Sequence, residues 1–361
     1  MVDSVESQRS NRDQLGDAWA NFTNRLQQLG LDALDAAPND EERLDGLRFV
    51  LRQLAFREEQ FIEFPRDARP EFFLPESPTR KVFADCPDTI YRQFSAAPGT
   101  RYRITGTRGE SPYLSFTAYR AALTDRVVDD LHDGEIDIAA DGTFSLDIGG
   151  PTGGRNHLDL GHDGAFVVVR EYTHDRVNGV KASFEVEQID PEPGYRTEFD
   201  AARMEFALGM LAWGLEFTNE SSLRLSNELS LRPNQMNEAA GELVSEMAGT
   251  PHNHYQLCAV QLGEGEALEL TLDPPDCRYW SVHLNNWWLE SPEFRDGQSV
   301  CINDAQAQRN DDGTITMLVG PDDPGSSNWL DTTGRRETIL LARYLLPDNE
   351  LAPITTRIVK V

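Results

Sequence analysis

The sequence predicts a mainly β protein with helical additions, built from two similar antiparallel β-sandwich modules of jelly-roll-like character. Three observations support this fold class: an ordered internal repeat, a change of apolar period to two residues near Thr100, and helical patterns before and between the β-rich regions. The predicted organisation is an N-terminal helical region with a Pro-rich linker (1–80), a first module (81–195), a helical insert (196–252) and a second module (253–361).

The internal repeat predicts the two modules, because three blocks recur in the same order along the chain. From glycine to asparagine, and again from asparagine to arginine, the spacing is 14 residues in the first copy and 15 in the second. We therefore interpret the two β-rich regions as products of a duplication. The matched blocks are Asp141–Gly149 with Asp312–Gly320, Asn156–Gly161 with Asn328–Thr332, and the strand containing Arg170 with the strand containing Arg343.

Helices are predicted where apolar residues recur at three- and four-residue spacing. Pro38 separates the first two, and Asp40 is expected to cap the second. The insert is expected to open with a helix, continue as a polar stretch from Thr218 to Glu238, and end in a short helix at 238–247. The predicted apolar faces are Leu15, Ala18, Trp19, Phe22, Leu26 and Leu29, then Leu44, Leu47, Leu51 and Leu54, and in the insert Phe199, Met204, Ala207, Met210, Leu211 and Leu215.

Strands in the two modules are predicted from alternation of polar and apolar residues. Asp141-Gly142 and Asp312-Gly313 are read as tight turns, because glycine accepts the positive φ that such turns require. Alternation also places a polar face on one strand of each module. These faces are Tyr113, Ser115, Thr117 and Tyr119 in the first copy, and Tyr279, Ser281, His283 and Asn285 in the second.

Both copies carry an aspartate and an arginine at matched positions. An arginine inside an apolar strand needs a partner, so we expect buried pairs of Arg170 with Asp159 and of Arg343 with Asp331. Anchoring of an anionic ligand is the competing interpretation of the two arginines. Asp159 and Asp331 are read either as corner residues that bind nearby backbone or as carboxylates that face a pocket.

Positions at which the copies differ are the candidates for chemistry. Only the second copy has an imidazole on its polar face, so His283 is the candidate proton carrier, with Tyr279 and Asp331 as further catalytic candidates. A structural histidine is the alternative. Aromatic and amide side chains crowd the same half, as in pockets for sugars or partly apolar molecules, although core packing explains many of them. The substrate-binding candidates are Asn285, Trp287, Trp329, Asn303 and Arg343.

No metal site and no cofactor are expected from the motifs. His252 and His254 have a spacing that places two imidazoles on one strand face, but no third ligand is fixed by the sequence. The scattered thiols of Cys86, Cys258, Cys277 and Cys301 are read as reduced core residues. No phosphate-binding glycine loop and no nucleophile elbow is present in the sequence.

The chain is strongly acidic, with a net charge of -28 over 361 residues. This balance argues against nucleic acid and against anionic membrane surfaces, which both require a basic footprint. The acidity fits either a high-salt habitat or a GC-rich genome. The polar N-terminus and the lack of a long apolar run favour a cytoplasmic protein. Unpaired sandwich edges need covering, which favours a homo-oligomer.

Short blocks of the second module resemble the bacterial family known as domain of unknown function 1214. The resemblance spans Asn253 to Pro347 and implies a β-sandwich fold, but it implies no activity and no catalytic residues. The blocks are Pro274–Val282, Asn303–Gln306, Asp312–Thr314, Asp323–Gly325 and Asn328–Thr332, with weaker similarity at Pro87–Tyr91 and Tyr102–Gly106.

Three functions remain open on the sequence alone. The first is a hydrolase or lyase that uses acid–base chemistry on a small sugar-like or partly hydrophobic substrate. The second is a non-catalytic binder of a small molecule on the same aromatic face, and the third is a structural subunit. A second ionisable group within hydrogen-bond reach of His283 would favour the enzyme, and the lack of one would favour the binder.

Overall fold

In the first module, eight strands form two four-stranded sheets packed face to face. Sheet A has the strand order β1-β7-β3-β4 and sheet B the order β6-β5-β2-β8. The computed structural model describes residues 11–64, 69–121, 126–151, 153–191, 200–237, 240–244, 250–292 and 299–361. The strands are β1 (Thr89–Ser95), β2 (Tyr102–Thr107), β3 (Tyr113–Arg120), β4 (Val127–His132), β5 (Thr143–Ile148), β6 (His157–Leu158), β7 (Gly164–Tyr172) and β8 (Ser183–Gln188).

The second module repeats this topology strand for strand. Sheet C has the order β12-β11-β15-β9 and sheet D the order β14-β13-β10-β16, which are the orders of sheets A and B shifted by eight strands. The predicted duplication and the two-sandwich fold class are therefore confirmed. The strands are β9 (Asn253–Gln261), β10 (Glu266–Leu272), β11 (Tyr279–Asn285), β12 (Cys301–Asn303), β13 (Ile315–Gly320), β14 (Trp329–Asp331), β15 (Glu337–Leu345) and β16 (Thr355–Lys360).

Alternation along the strands builds a separate core in each module. Leu114 and Phe116 of β3 enter the first core, and Trp280, Val282 and Leu284 of β11 enter the second. The two Asp-Gly pairs form the predicted turns, with φ of 85° at Gly142 and 90° at Gly313. Burial of these apolar faces stabilises each sandwich.

The polar faces of β3 and β11 do not face solvent, because each module covers the other. Every residue from Tyr113 to Ala118 and from Tyr279 to Asn285 is buried. Tyr113 and Tyr172 of the first module pack against Tyr279 and Leu345 of the second. The interface between the modules is therefore lined by the two matched polar faces.

The long α-helices of the described residues pack beside the modules: α1 (Asn11–Ala36), α2 (Asp40–Glu58) and α3 (Ala201–Ser230), with a π-helical turn at Glu59–Glu63. Asn39 caps α2 rather than Asp40, since its side chain accepts from the backbone of Glu42 at 2.9 Å. Among the described residues, no helix combines the length and the apolar character needed to cross a membrane.

The predicted apolar face of α2 is wrong. Leu44, Leu47 and Leu51 are exposed, and α2 turns a mixed face inward that includes Glu42 and Phe49. The buried polar residues of this face bind groups of the second module, and the indole of Trp288 stacks on Phe49. These tertiary contacts outweigh the apolar stripe, so α2 is oriented by its polar partners.

α3 continues through the first part of the polar stretch after Thr218 and ends at Ser230. Thr218, Ser222 and Ser226 lie on the buried side of the helix, where the two serines donate to the backbone carbonyls of Trp288 and Trp287. These side chains are small enough for close packing of the helix, and their hydroxyl groups form hydrogen bonds at the same contact. Of the short helix predicted at 238–247, residues 240–244 are helical, and the remainder lies outside the described residues, as does Phe199.

Candidate functional site

Strand register brings the same three residue types together in both modules. In the first module, Arg170 of β7 lies opposite Tyr91 of β1 and Ser115 of β3. In the second, Arg343 of β15 lies opposite Tyr255 of β9 and Ser281 of β11. Both arginines are buried and point into the space between the modules. The duplication thus places two matched guanidinium groups at one interface.

A cavity of about 950 Å³, including its open mouth, lies between the modules and is covered by α2 and α3. Its wall joins cationic and aromatic side chains from β1, β3, β7, β9, β15 and both helices. The cationic residues are Arg57, Arg126, Arg170 and Arg343, and the aromatic residues are Phe56, Phe83, Tyr91, Tyr119, Phe166, Phe217 and Tyr255.

Arg343 is held in the cavity wall by neutral groups. Its guanidinium donates to the hydroxyl of Tyr172 at 2.8 Å and to the carbonyl of Ala84 at 3.0 Å, while its Nε has no partner among the described residues. The ring of Tyr255 lies 5.2 Å from the guanidinium carbon. Among the described residues, no carboxylate oxygen lies within 4.0 Å of the Arg343 guanidinium nitrogens.

Arg57 of α2 has the same kind of surroundings. It donates to Gln60 at 2.6 Å and to Thr218 of α3 at 2.9 Å, and its Nε lacks a described partner. Gly214 of α3 leaves room for it, because an added Cβ there would lie 2.8 Å from the Nε. Burial lowers the pKa of Arg57 to about 9, and repulsion by Arg126 adds to this shift.

The first-module arginines complete the cationic wall. Arg170 donates to Thr117 at 3.0 Å and to the hydroxyl of Tyr119 at 2.8 Å. Arg126 lies 5.0 Å from the ring centre of Phe217. Burial lowers the pKa of Arg126, although the neighbouring Tyr119 opposes the shift.

Two carboxyl groups, Glu76 and Asp85, also line the cavity, but both are engaged elsewhere. The ammonium of Lys81 lies 3.8 Å from Glu76 and 3.6 Å from Asp85, and Arg176 lies 3.5 Å from Glu76. Asp85 also accepts from the backbone N–H of Ser291 at 2.8 Å. Burial raises the pKa of Glu76 to about 7. These acids therefore neutralise other cations than Arg57 and Arg343.

Beyond Arg343, a buried group of polar side chains gathers around Asp88. Its carboxylate accepts from the hydroxyl of Tyr279 at 2.9 Å and from the amide of Asn303 at 2.7 Å, and the thiol of Cys301 lies 3.4 Å away. Burial and the neighbouring thiol of Cys86 raise the pKa of Asp88 to about 6. Two of the sequence candidates, Tyr279 and Asn303, thus bind the same carboxylate.

His283 lies in the same buried region with the thiols of Cys86 and Cys301 beside it. The backbone of Asp85 is next to the ring, but neither ring nitrogen has a hydrogen-bond partner among the described residues. Burial lowers the pKa of His283 to about 4, so the ring is neutral at physiological pH. Burial opposes ionisation of the Cys86 thiol, yet the hydrogen bond with Cys301 and the charge of Arg343 lower its pKa well below the usual value.

Of the other candidates, Asn285 lies next to this region, whereas Trp287 and Trp329 lie away from it. Asn285 follows His283 on the same face of β11 and is buried, with no described partner for its amide. Trp287 lines a different cleft beside Pro38 and Ser230. Trp329 donates to the carbonyl of Gly320 at 3.0 Å on the edge strand of sheet D.

The predicted arginine–aspartate pairs are not formed. Asp159 is exposed and accepts from the backbone N–H of Gly161, while Asp331 accepts from the backbone N–H of Thr333. Both carboxylates therefore hold chain corners, the alternative reading of the repeat. The short polar strands β6 and β14 belong to sheets B and D, whereas the arginines belong to sheets A and C, so the pairs lie on different sheets of each sandwich.

His252 and His254 do not share a site, because His254 is exposed. His252 instead packs edge-on against His132 of the first module, with 4.9 Å between ring centres, and lies 3.3 Å from the carboxylate of Asp130. Together with Glu135, the two histidines form a partly exposed group of potential metal ligands. The spacing of His252 and His254 within one strand could not predict this contact with the other module.

The sequence interpretation missed Asp88, Arg57 and Arg126, and it gave Cys86 and Cys301 no role beyond that of reduced core thiols. One signal was available: Cys301 and Asn303 share a face by alternation on β12. The position of Cys86 beside them depends on the packing of the modules, which no local pattern encodes.

Comparisons with known proteins agree with this fold. Residues 261–349 match the model of a family described as protein of unknown function (DUF1214), which confirms the resemblance seen in the sequence. The chain is similar to a crystal structure of an uncharacterised protein from Burkholderia cenocepacia, with 29% identity, a TM-score of 0.90 and coverage of 97% of this chain and 99% of that one. A protein from Vibrio parahaemolyticus shares the fold at 11% identity and a TM-score of 0.51, over 98% of this chain and 100% of that one. No curated protein matches the sequence.

Proposed function

We propose that this protein, whose second module carries the DUF1214 region at residues 261–349, binds a small organic anion with an apolar body in the cavity between its modules. The observation that carries the proposal is the pair of buried guanidinium groups, Arg57 and Arg343, that lack a carboxylate partner in the described part of the chain. The proposal is of the same class as the second function left open by the sequence, a non-catalytic binder, but it assigns binding to the cavity between the modules and not to the aromatic face of the second module.

The charges favour an anion. A buried cation without a counter-charge is costly, because the low-dielectric interior replaces its hydration only partly. The guanidinium fork matches the two oxygens of a carboxylate or phosphate, so a ligand anion would offset this cost with directed hydrogen bonds. The chain as a whole carries a charge of -28, so its net field repels anions and does not steer them from a distance. The attraction of an anion is therefore confined to the cavity.

The walls favour an apolar ligand body. Rings of Tyr119, Phe166 and Phe217 line the first-module side and the helix side, and Tyr255 lines the second-module side. Flat apolar walls with a few convergent polar groups are typical of sites for partly hydrophobic metabolites. We therefore expect aromatic or aliphatic carboxylates to bind better than small inorganic anions.

Acid–base catalysis is less well supported. The hydrolase or lyase predicted from the sequence needs a proton carrier with an ionisable partner in reach. His283 has no hydrogen-bond partner among the described residues, and burial lowers its pKa to about 4. Binding is therefore the function we favour at this interface.

The test is a thermal-shift and calorimetric series with hydrophobic carboxylates and their neutral amides. We expect carboxylates such as octanoate and naphthoate to raise the melting temperature, with a stabilisation of about 2.7 kcal/mol at a hundred times Kd, and the amides to have little effect. Arg343→Gln and Arg57→Gln should each weaken carboxylate binding at least about tenfold, since each removes a charge-assisted hydrogen-bond donor.

Arg357→Gln is the matched control, because Arg357 is exposed on β16 and pairs with Glu269 at 2.5 Å. It should leave binding unchanged. Equal responses to carboxylates and amides, or full binding by both Arg343→Gln and Arg57→Gln, would rule the proposal out.

A further inference from the structure

The thiols of Cys86 and Cys301 and the imidazole of His283 form a second site that the anion cavity does not use. Their ligand atoms all lie within 4.8 Å of one another. A tetrahedral zinc ion with Zn–S bonds of about 2.3 Å and Zn–N bonds of about 2.0 Å requires ligand separations of roughly 3.3–3.8 Å, which small side-chain rotations can reach. The geometry is thus close to that of a metal site.

The histidine supplies an independent indication. His283 is fully buried, with both ring nitrogens lacking a described partner. Buried polar groups in native proteins are almost always satisfied, so an orphaned imidazole aimed at two thiols points to an unseen partner. A metal ion would bind one nitrogen directly.

The first module has different residues at the positions that correspond to His283 and Cys301. Strand register matches His283 with Thr117 and Cys301 with Asp130. In the first module the threonine hydroxyl donates to one carboxylate oxygen of the aspartate, and the ring of His252 lies 3.3 Å from the other. At these positions the second module has two side chains that can bind a metal, and Cys86 from the segment before β1 is the third.

We infer that Cys86, His283 and Cys301 bind a thiophilic divalent cation of the Zn²⁺ class. Two sulfur ligands and one imidazole favour zinc over magnesium or calcium, which prefer oxygen. Asp88 beside Cys301 adds negative charge and is held in place by Tyr279 and Asn303. Both cysteines bind the cation as thiolates, so any thiol proton still present is released to solvent.

Cobalt is the probe for this site, because Co²⁺ bound by thiolates gives a sulfur-to-metal charge-transfer band that oxygen and nitrogen ligands do not give. Full-length protein is reduced, freed of metal with a chelator and titrated with Co²⁺. A second sample is produced in cobalt-supplemented medium, so that slow entry into a buried site cannot mimic a lack of binding. We expect one Co²⁺ per chain, a thiolate band and its loss when Zn²⁺ is added.

The variant His283→Thr/Cys301→Asp copies the first-module pair and is therefore expected to fold. It should lose the thiolate band, while Cys277→Ser, which changes a partly exposed thiol outside the site, should retain it. The absence of a band in both samples would overturn the inference, as would a band that persists in the double variant.

Two further outcomes count against the site. Binding without a thiolate band that is lost in His252→Gln would assign the metal to the group of His132, Glu135 and His252. A Cys86–Cys301 disulfide found by mass spectrometry, in protein that binds no cobalt after reduction, would identify a thiol pair in place of a metal site.

Discussion

Several carboxyl groups lie deep inside this protein, and burial raises their pKa towards neutrality. The pKa of Glu42 rises to about 7 through burial, although the guanidinium of Arg335 opposes the shift. The pKa of Glu290 also rises to about 7 for the same reason, opposed by Arg52. Each such carboxyl takes up a proton on folding near neutral pH, which couples stability to pH.

Glu42 gives a measurable pH dependence. A folded-state pKa raised from 4.5 to about 7 means that the full stability is present below pH 4.5 and is lost as the pH rises through about 7. The loss from this group is roughly 3 kcal/mol. We expect Glu42→Gln to flatten the fall in the free energy of unfolding between pH 5 and pH 8, measured by urea denaturation at each pH.

Glu41→Gln is the control for this measurement, since Glu41 is more than half exposed and contacts the same Arg335 at 3.4 Å. It should leave the slope with pH nearly unchanged. An identical slope in the wild type and in Glu42→Gln would show that this carboxyl does not couple folding to pH.

At the scale of single elements, the matched Asp-Gly turns depend on a backbone conformation that glycine adopts without strain. Gly313 has a φ of 90° and no atom near the place of a Cβ, so a substitution there meets conformational strain alone. We expect Gly313→Ala to lower the free energy of unfolding by about 1–2 kcal/mol, measured by urea denaturation.

The control for Gly313→Ala is a glycine in a helix. Gly16 is exposed in α1 with nothing near its Cβ position, so Gly16→Ala should raise stability by about 1 kcal/mol. Unchanged stability in Gly313→Ala would contradict the strained-turn interpretation.

The strands were largely predictable and the orientation of the helices was not. Alternation located Tyr279, Ser281 and His283 on one face of β11, because side-chain direction in a strand is a local property. The apolar stripe of Leu44, Leu47 and Leu51 predicted the wrong buried face for α2. A buried ion pair between Glu42 and Arg335 at 2.6 Å orients that helix instead. The partner of such a polar face lies hundreds of residues away and leaves no periodic signal.

For the candidate site, the sequence identified several of the residues but not which of them lie together in the structure. Tyr279, Asn303, His283 and Arg343 are brought together at the interface, whereas Asp331, Trp329 and Trp287 lie elsewhere. The difference has a physical origin. The first four face the other module, and the interface exists only when the two copies pack.

At the scale of the whole molecule, duplication followed by divergence produces an asymmetric interface. Arg170 and Arg343 are retained in both copies, whereas His283 and Cys301 replace a threonine and an aspartate. The retained arginines both line the anion cavity, where the proposed ligand binds Arg343 together with Arg57 of α2. The inferred metal site uses the divergent pair. The homo-oligomer expected from the sequence remains a prediction, with the exposed Leu44, Leu47 and Leu51 of α2 as a surface to examine.

The most direct measurement is a crystal structure of the full chain with the tightest-binding carboxylate from the titration series. The account predicts the ligand between the modules, its carboxylate within hydrogen-bond distance of Arg343 or Arg57 and its apolar body against Tyr255 or Phe217. A saturating carboxylate bound outside this cavity, with both guanidinium groups keeping only their present partners, would contradict it.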